Sequence, residues 1–450
     1  MQKWGSLFHR HLGQHRMLGG AAVLAFTQFG ASLAGLVRDN VLASTFSARG
    51  EIGVVDAYIA AFRPSDFLLQ TFILSAVGSV LVPIIADHRQ KGDHHEVQSL
   101  LGGAVGAGAM VFGVFALILA VVFPRIAPAL VDFEGEQLML YVRFGRIALL
   151  TNFLFVFGSV YGQYLITIQR YWVYGITPIL YTLGTIMGTM LLTPIYGANG
   201  PILGTLLGTI VFLLLRAWGV RRSGIALRIA LWHRDIGSMG LLMIPRMLAL
   251  GALQVQLLFF DKFASGLDAG SVMLNAYARN FQSVIVGVVG IAIAQSAFSL
   301  MSQAASCGDR ERFFIYLRKA TVLVLALTVP GAVALSLLAP IAAWLVHITD
   351  FLPAFRLILF AYAISIPFDS LNHLLVRGYY ATKHTLIPAV TMVIYVLVAV
   401  GCVWWLLPTI GIQSLGIGYA VGSAAMTVLL ILLLPLRLQS MQVMHPVQSP

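Results

Sequence analysis

The sequence predicts an all-α polytopic membrane protein, with about twelve transmembrane helices in two six-helix lobes around a central cavity. Three observations lead there. With 59% hydrophobic and 10% charged residues and a mean hydropathy of +0.89, the chain lies far from soluble globular composition. Apolar runs near the roughly 20 residues needed to cross about 30 Å of hydrocarbon recur along it. They are centred near residues 27, 68, 110, 154, 184, 208, 253, 287, 330, 365, 396 and 425. Finally, the first half of the chain is echoed in the second.

The elements follow in order. Residues 1–17, MQKWGSLFHRHLGQHRM, are basic and precede the first apolar run, as in a secretory leader. That run is long, holds Gln28 and is followed by more spans, so it reads as a retained signal anchor. The second apolar segment runs from Val54 to Ala86. As one helix it would be about 50 Å long, so it must tilt, bend or protrude. Pro64 supplies a bend by removing an intrahelical hydrogen bond. Within it, VVDAYIAAFRPSDFLLQTF carries Asp56 and Arg63, seven residues apart and on one face. An ionised side chain facing lipid costs at least about 2.5–3.5 kcal/mol near the bilayer centre, so both should face the cavity. Asp66, beside Pro64, reads as a helix cap.

The other intramembrane charges sort by the same cost. Arg38 and Asp39 at the outer end of span 1, and Arg279 inside span 8, join the cavity set. Arg143, Arg146 and Arg356 sit at span ends, where snorkelling to the interface suffices. Arg246, after Pro245 in the inner part of span 7, fits either reading, and Asn275 and Gln282 extend the set along span 8.

Orientation follows from Lys and Arg, because cationic loops resist translocation. With the N-terminus inside, segments 1–17, 86–97, 166–174, 216–236, 302–319, 377–384 and 437–450 hold 18 of them, against three outside (Arg49, Arg125, Lys262). Both termini are therefore expected in the cytoplasm. The expected divisions are an N-terminal segment 1–17, an N-lobe 18–217, a basic linker 218–236, a C-lobe 237–437 and a tail 438–450. The net charge of +11 is thus topological, with attraction to anionic lipid headgroups and no nucleic-acid partner. Two cysteines, Cys307 and Cys402, exclude a disulfide framework.

The internal echo sets the architecture. DAYIAAF at 56–62 matches NAYARNF at 275–281, and Gly92-Asp93 matches Gly308-Asp309. Pro178 matches Pro388, and glycines 197, 204 and 208 match 411, 418 and 422. A repeat holding six spans gives two copies of the same orientation, related by an axis along the membrane normal. It brings Arg63 and Arg279 onto related helices, and guanidiniums in a wet cleft suit a phosphate or pyrophosphate, which they grip bidentately.

At this point the residues carry a family resemblance. GLVRDNVLASTF, DAYIAAFRPSDFLLQTF and VGSVLVPIIADHRQKGD resemble the N-terminal signature of the MurJ/MviN lipid II flippases, within the multidrug/oligosaccharidyl-lipid/polysaccharide exporter superfamily. ITIQRYWVYGITPILYTLG, GSVMLNAYARNFQSVIVGVVGIAIAQSAFSLMSQ and RGYYATKHTLIPAV resemble later parts of the same family. The resemblance implies a transporter, not an enzyme, in the bacterial inner membrane. Its cargo would be an undecaprenyl-pyrophosphate-linked peptidoglycan precursor, carried outward by alternating access. Its partners would be membrane lipids and, as candidates, cell-wall synthesis enzymes, with no cofactor. Arg38, Asp39, Asp56 and Arg279 fall on family positions and Arg63 on a basic one, the arginines meeting the diphosphate and the two acids holding arginines in place. Where the family has further arginines, this chain has Ser32, Leu69 and Gln70. The family commonly has fourteen spans.

Other functions were weighed on their own residues. His88 and Asp93 have the H-x4-D spacing of an acyltransferase but no accompanying catalytic segment. His88, Asp93, His94, His95 and Glu96 could ligate a metal, yet read better as a solvated loop, so no metal is expected. A cation-coupled drug exporter needs an acidic site in one lobe, and its candidates, Asp261, Asp369 and Asn372, look scattered along different spans. A flippase for another undecaprenyl-linked saccharide and a non-transporting scaffold complete the alternatives.

Overall fold

A computed structural model describes residues 2–75, 81–227, 229–230 and 233–443. Every regular element among them is helical. Helices α1 (Gln2–Ser47), α2 (Gly53–Leu68) and α3 (Val82–Gln90) come first, followed by α4 (His94–Leu130) and α5 (Gly135–Thr167). Next are α6 (Tyr171–Met187), the single turn α7 (Thr193–Tyr196) and α8 (Gly200–Arg221). The second half holds α9 (Arg234–Ser265), α10 (Ser271–Ile285), α11 (Ala292–Ser306) and α12 (Arg310–Leu337). It ends with α13 (Ala339–Leu345), α14 (Leu352–Ala381), α15 (Leu386–Ile410) and α16 (Gln413–Val443).

Nine helical stretches among the described residues are long and apolar enough to cross a bilayer. One of them, Tyr171–Arg221, contains two of the run centres read from sequence. Between 22% and 44% of each stretch's most apolar window is buried within the protein, so most of that surface must meet hydrocarbon. Trp404 and Trp405 near the end of α15 are among the most exposed side chains, as expected at a membrane–water interface.

The chain divides into two compact units. One comprises residues 1–54, 64–125 and 139–244, and the other 55–63, 126–138 and 245–450. Two short segments of the first half, part of α2 and the α4–α5 turn, therefore belong with the second half. In the first unit α6 packs on α8 and α1, and the glycine faces of α6 and α8 touch: a Cβ on Gly204 would overlap the backbone of Gly188 and Gly184. In the second unit α14 is central, packing on α16, α12, α11 and α10, while α15 packs on α16. Its core includes Phe313, Leu374, Tyr379, Tyr395 and Met426.

The repeat is written into the backbone. Eight glycines and three other residues have positive φ among the described residues, and all but Gly224 fall into pairs about 212–220 residues apart. The pairs are Gly50 with Gly270, Gly92 with Gly308, Gly135 with His347, Gln169 with Lys383, and Gly197 with Gly411. Gly197 and Gly411 end their helices at φ 57° ψ −135° and φ 57° ψ −134°. Asp93 and Asp309 each accept a hydrogen bond from the backbone three residues on, at 3.0 and 2.9 Å. A π-helical segment also recurs, at Leu69–Leu74 after α2 and Val286–Ile291 after α10.

Several expectations change. Asp66 lies inside α2, away from its start, and its carboxylate accepts a 2.8 Å bond from Asn152 Nδ2. Residues 2–17 continue the helix of span 1. Arg216, counted with a basic loop, lies within α8 and is 5% exposed. Of the linker, residues 228, 231 and 232 lie outside the described residues, as do 444–450 of the tail.

Candidate functional site

The second unit encloses a cavity of about 640 Å³. Its polar wall comes from two helical rods. Arg279, Gln282 and Ser283 project from α10, and Gln295 from α11 beyond the π turn. Asp369, Asn372, His373, Arg377 and Tyr380 project from α14, at the three- and four-residue spacing that lines one helix face. Opposite lie apolar side chains such as Leu250, Leu253, Met392 and Met426.

Arg279 makes no hydrogen bond within the described residues, although Arg63 and Asp261 lie within electrostatic reach. Gln282 is buried and donates through Nε2 to Ser365 Oγ at 3.2 Å and Asp369 Oδ2 at 3.1 Å. The Tyr419 hydroxyl donates to the same carboxylate oxygen at 3.0 Å. Asn372 donates to the Ser423 carbonyl at 3.0 Å and accepts from Thr427 Oγ1 at 2.8 Å. Asp369 and Asn372 thus share one helix and one cavity, where sequence had them scattered; their three-residue spacing was the signal. Asp261 is elsewhere. One buried hydroxyl lining the cavity, Ser423 Oγ, has no hydrogen-bond partner among the described residues. Unpaired buried polar atoms are costly, so a wall that holds one suits an occupant able to pair with it.

The other residues singled out from sequence occupy different places. Arg63 donates from Nε to Asp261 Oδ2 at 2.7 Å, the carboxylate being nearly inaccessible. The second Asp261 oxygen, Oδ1, is buried without a hydrogen-bond partner among the described residues. Asp56 is 1% exposed, and both its oxygens accept backbone N–H groups at the start of α10, from Gly270 at 2.6 Å and Met273 at 2.8 Å. It stabilises the positive end of that helix from another segment of chain. Asn275, one turn on, accepts from the Tyr362 hydroxyl at 2.7 Å. Arg38 and Asp39 belong to the first unit and pair with each other on α1, at 2.6 Å. Arg246 is exposed on α9, near enough to Tyr380 to act on it electrostatically, as Arg377 does. The structure therefore puts Arg279 and Gln282 on the cavity wall, with the Arg63–Asp261 pair within electrostatic reach of Arg279, and it adds Asp369, His373 and Arg377 to that wall.

Residues of the H-x4-D loop serve the fold. Asp93 caps α4, and Glu96 meets His233 Nε2 at 3.0 Å. Among the described residues no group of three or more His, Cys, Asp or Glu side chains could hold a metal.

Comparison with known proteins gives a consistent answer. The sequence model of the family described as lipid II flippase MurJ matches residues 50–445. The probable lipid II flippase MurJ of Thermotoga maritima is 25% identical over 373 residues, 81% of this chain and 75% of the relative. That of Bdellovibrio bacteriovorus is 25% identical over 436 residues, covering 93% and 82%. A lipid II flippase MurJ solved in an inward closed conformation superposes with a TM-score of 0.76 at 19% identity, over 94% of this chain and 90% of that one. An inward-facing multidrug resistance transporter of the MATE family gives 0.74 at 14% identity, over 92% and 96%. These two likenesses establish the fold. The match over most of the chain goes further: this protein belongs to the lipid II flippase MurJ family.

Proposed function

We propose that this protein moves lipid II, the undecaprenyl-pyrophosphate-linked peptidoglycan precursor, from the inner to the outer leaflet of the bacterial cytoplasmic membrane by alternating access. Twelve spans in two lobes, 18–217 and 237–437, with both termini cytoplasmic, fit the distribution of Lys and Arg. Cell-wall synthesis enzymes are natural partners for a carrier delivering their substrate.

One observation carries the reading beyond family membership: Arg279 presents a guanidinium without hydrogen-bond partners to a cavity inside the membrane-spanning unit. Such a group is expensive to keep in a membrane protein unless an anion uses it. A diphosphate offers the bidentate acceptor geometry it fits. Arg63, held by a carboxylate in the same unit, is a further contact, with Asn275 and Gln282 on the same helix as Arg279.

The test is Arg279→Ala in cells that depend on this protein. Precursor translocation should fall by at least about tenfold at normal membrane abundance, since a charge-assisted contact is lost. Arg279→Lys should recover it in part, because the planar fork is missing. Wild-type translocation by the alanine variant would overturn the headgroup role.

The Asp369 and Asn372 pairing in the same cavity favours a second reading, a cation-coupled exporter of the same superfamily. Under it Asp369→Asn would abolish transport of a cationic drug, whereas lipid II export would tolerate the change.

A further inference from the structure

The cavity has a second cationic end that the reading above leaves unused. Arg377 lies eight residues beyond Asp369 on α14, about 12 Å along the helix axis. Its hydrogen bonds go only to neutral oxygens, Nε to Gln295 Oε1 at 3.2 Å and Nη1 to the His373 carbonyl at 3.1 Å. No carboxylate among the described residues pairs with it. His373, on the same cavity wall, has an imidazole with no hydrogen-bond partner among them. Tyr380, half-exposed on the same wall, lies within electrostatic reach of both Arg377 and Arg246, so this end of the cavity is cationic. The cavity's carboxylate, Asp369, is occupied by Gln282 and Tyr419.

The internal repeat tells whether the fold needs these charges. Helices α5 and α14 end at Thr167 and Ala381, and each is followed two residues on by a positive-φ residue, Gln169 at 60° and Lys383 at 58°. Counted from those ends, the positions of Asp369, His373 and Arg377 hold Phe155, Ser159 and Gln163 in α5. A helix of similar length and the same termination therefore forms without a charge at any of the three. Their presence in α14 calls for a ligand, and the Ser423 hydroxyl in the same wall, without a partner among the described residues, points the same way.

We infer that Arg377, His373 and Arg246 form a binding subsite for the phosphate of a lipid headgroup, at the C-terminal end of α14 and separate from Arg279. Two arginines, an imidazole and a tyrosine hydroxyl match a phosphate ester's acceptor oxygens, and the apolar wall of Leu250, Leu253 and Met392 suits an attached chain. The phosphate can come from a lipid diphosphate, such as the cargo, or from an anionic membrane phospholipid; only the first source rests on the flippase reading.

The experiment titrates the purified full-length chain in detergent with farnesyl diphosphate and, separately, with phosphatidylglycerol, and reads bound lipid by native mass spectrometry. Arg377→Gln should weaken binding about tenfold, the loss of one charge-assisted pair, and Arg377→Lys should restore part of it. Arg246→Gln, on an exposed side chain that cannot unfold the protein, should weaken the same probe. A loss confined to farnesyl diphosphate assigns the subsite to a lipid diphosphate, and a loss with phosphatidylglycerol assigns it to the membrane lipid. Wild-type affinity for both probes in Arg377→Gln and Arg246→Gln would overturn the subsite. Because the readout is binding and not transport, failure of lipid II translocation would remove the flippase reading and leave this result standing.

Discussion

Asp56 bonds both carboxylate oxygens to the backbone at the start of α10, which makes its chemistry that of a helix cap supplied from a distant segment. Asp56→Ala should therefore lower stability by about 1–2 kcal/mol, read as a lower melting temperature of the purified protein. Asp56→Asn should retain only part of it, since the amide offers one acceptor oxygen to two backbone N–H groups. Arg63 and Asp261 behave differently, because breaking a buried pair strands its partner. Asp261→Asn should cost more than Asp56→Asn in the same melting assay, and Arg63→Met combined with it should recover part of the loss. Arg216 is a third kind of residue. It donates to Thr177 Oγ1 at 3.0 Å and the Gly158 carbonyl at 2.7 Å and lies 4.2 Å over the Phe212 ring. It braces α5, α6 and α8, so Arg216→Ala should reduce folded protein with no ligand-binding effect.

At the scale of elements, the spans are built from two features that run along them. Small residues let helices touch, and polar residues at three- and four-residue spacing mark a face turned from lipid. Gly204 shows the first. Its Cβ position overlaps the backbone of α6 and the π turn after it, so Gly204→Leu should force α8 away and reduce membrane abundance sharply, whereas Gly401→Leu, in open space on α15, should be tolerated. Alpha helix 14 shows the second. Its Asp369, Asn372, His373, Arg377 and Tyr380 fall on one face and were readable as periodicity. Counting charges by loop hid Arg377, because a residue about one turn inside the helix was assigned to the loop. The π turns after α2 and α10 had no sequence signal beyond the repeat itself; a π turn arises when packing favours one extra residue in the ladder.

At the scale of the whole molecule, the proposed orientation, drawn from the distribution of Lys and Arg, makes a labelling prediction. In a cysteine-free background, an impermeant thiol reagent on intact cells should label Glu134→Cys, in the turn between α4 and α5, and spare Ala226→Cys, beyond α8. The reverse pattern would invert the orientation. The repeat predicts where these turns recur, and the paired positive-φ residues mark the same turns in both halves.

The sequence by itself determined the helical membrane class, the repeat and the family, because these depend on hydropathy, spacing and ordered motifs, which are properties of the chain read linearly. It also picked out Arg279 and Gln282, whose place on α10 follows from helical periodicity. Tertiary structure alone decided the partners. Asp56 reaches an N-terminus 214 residues away and Arg63 a carboxylate 198 residues away, and no local rule can choose among the acids and helix ends at such separations. The same holds for the cavity, since whether an arginine on a membrane helix is buried in packing like Arg216, paired like Arg63 or turned to a cavity like Arg279 depends on which neighbours surround it.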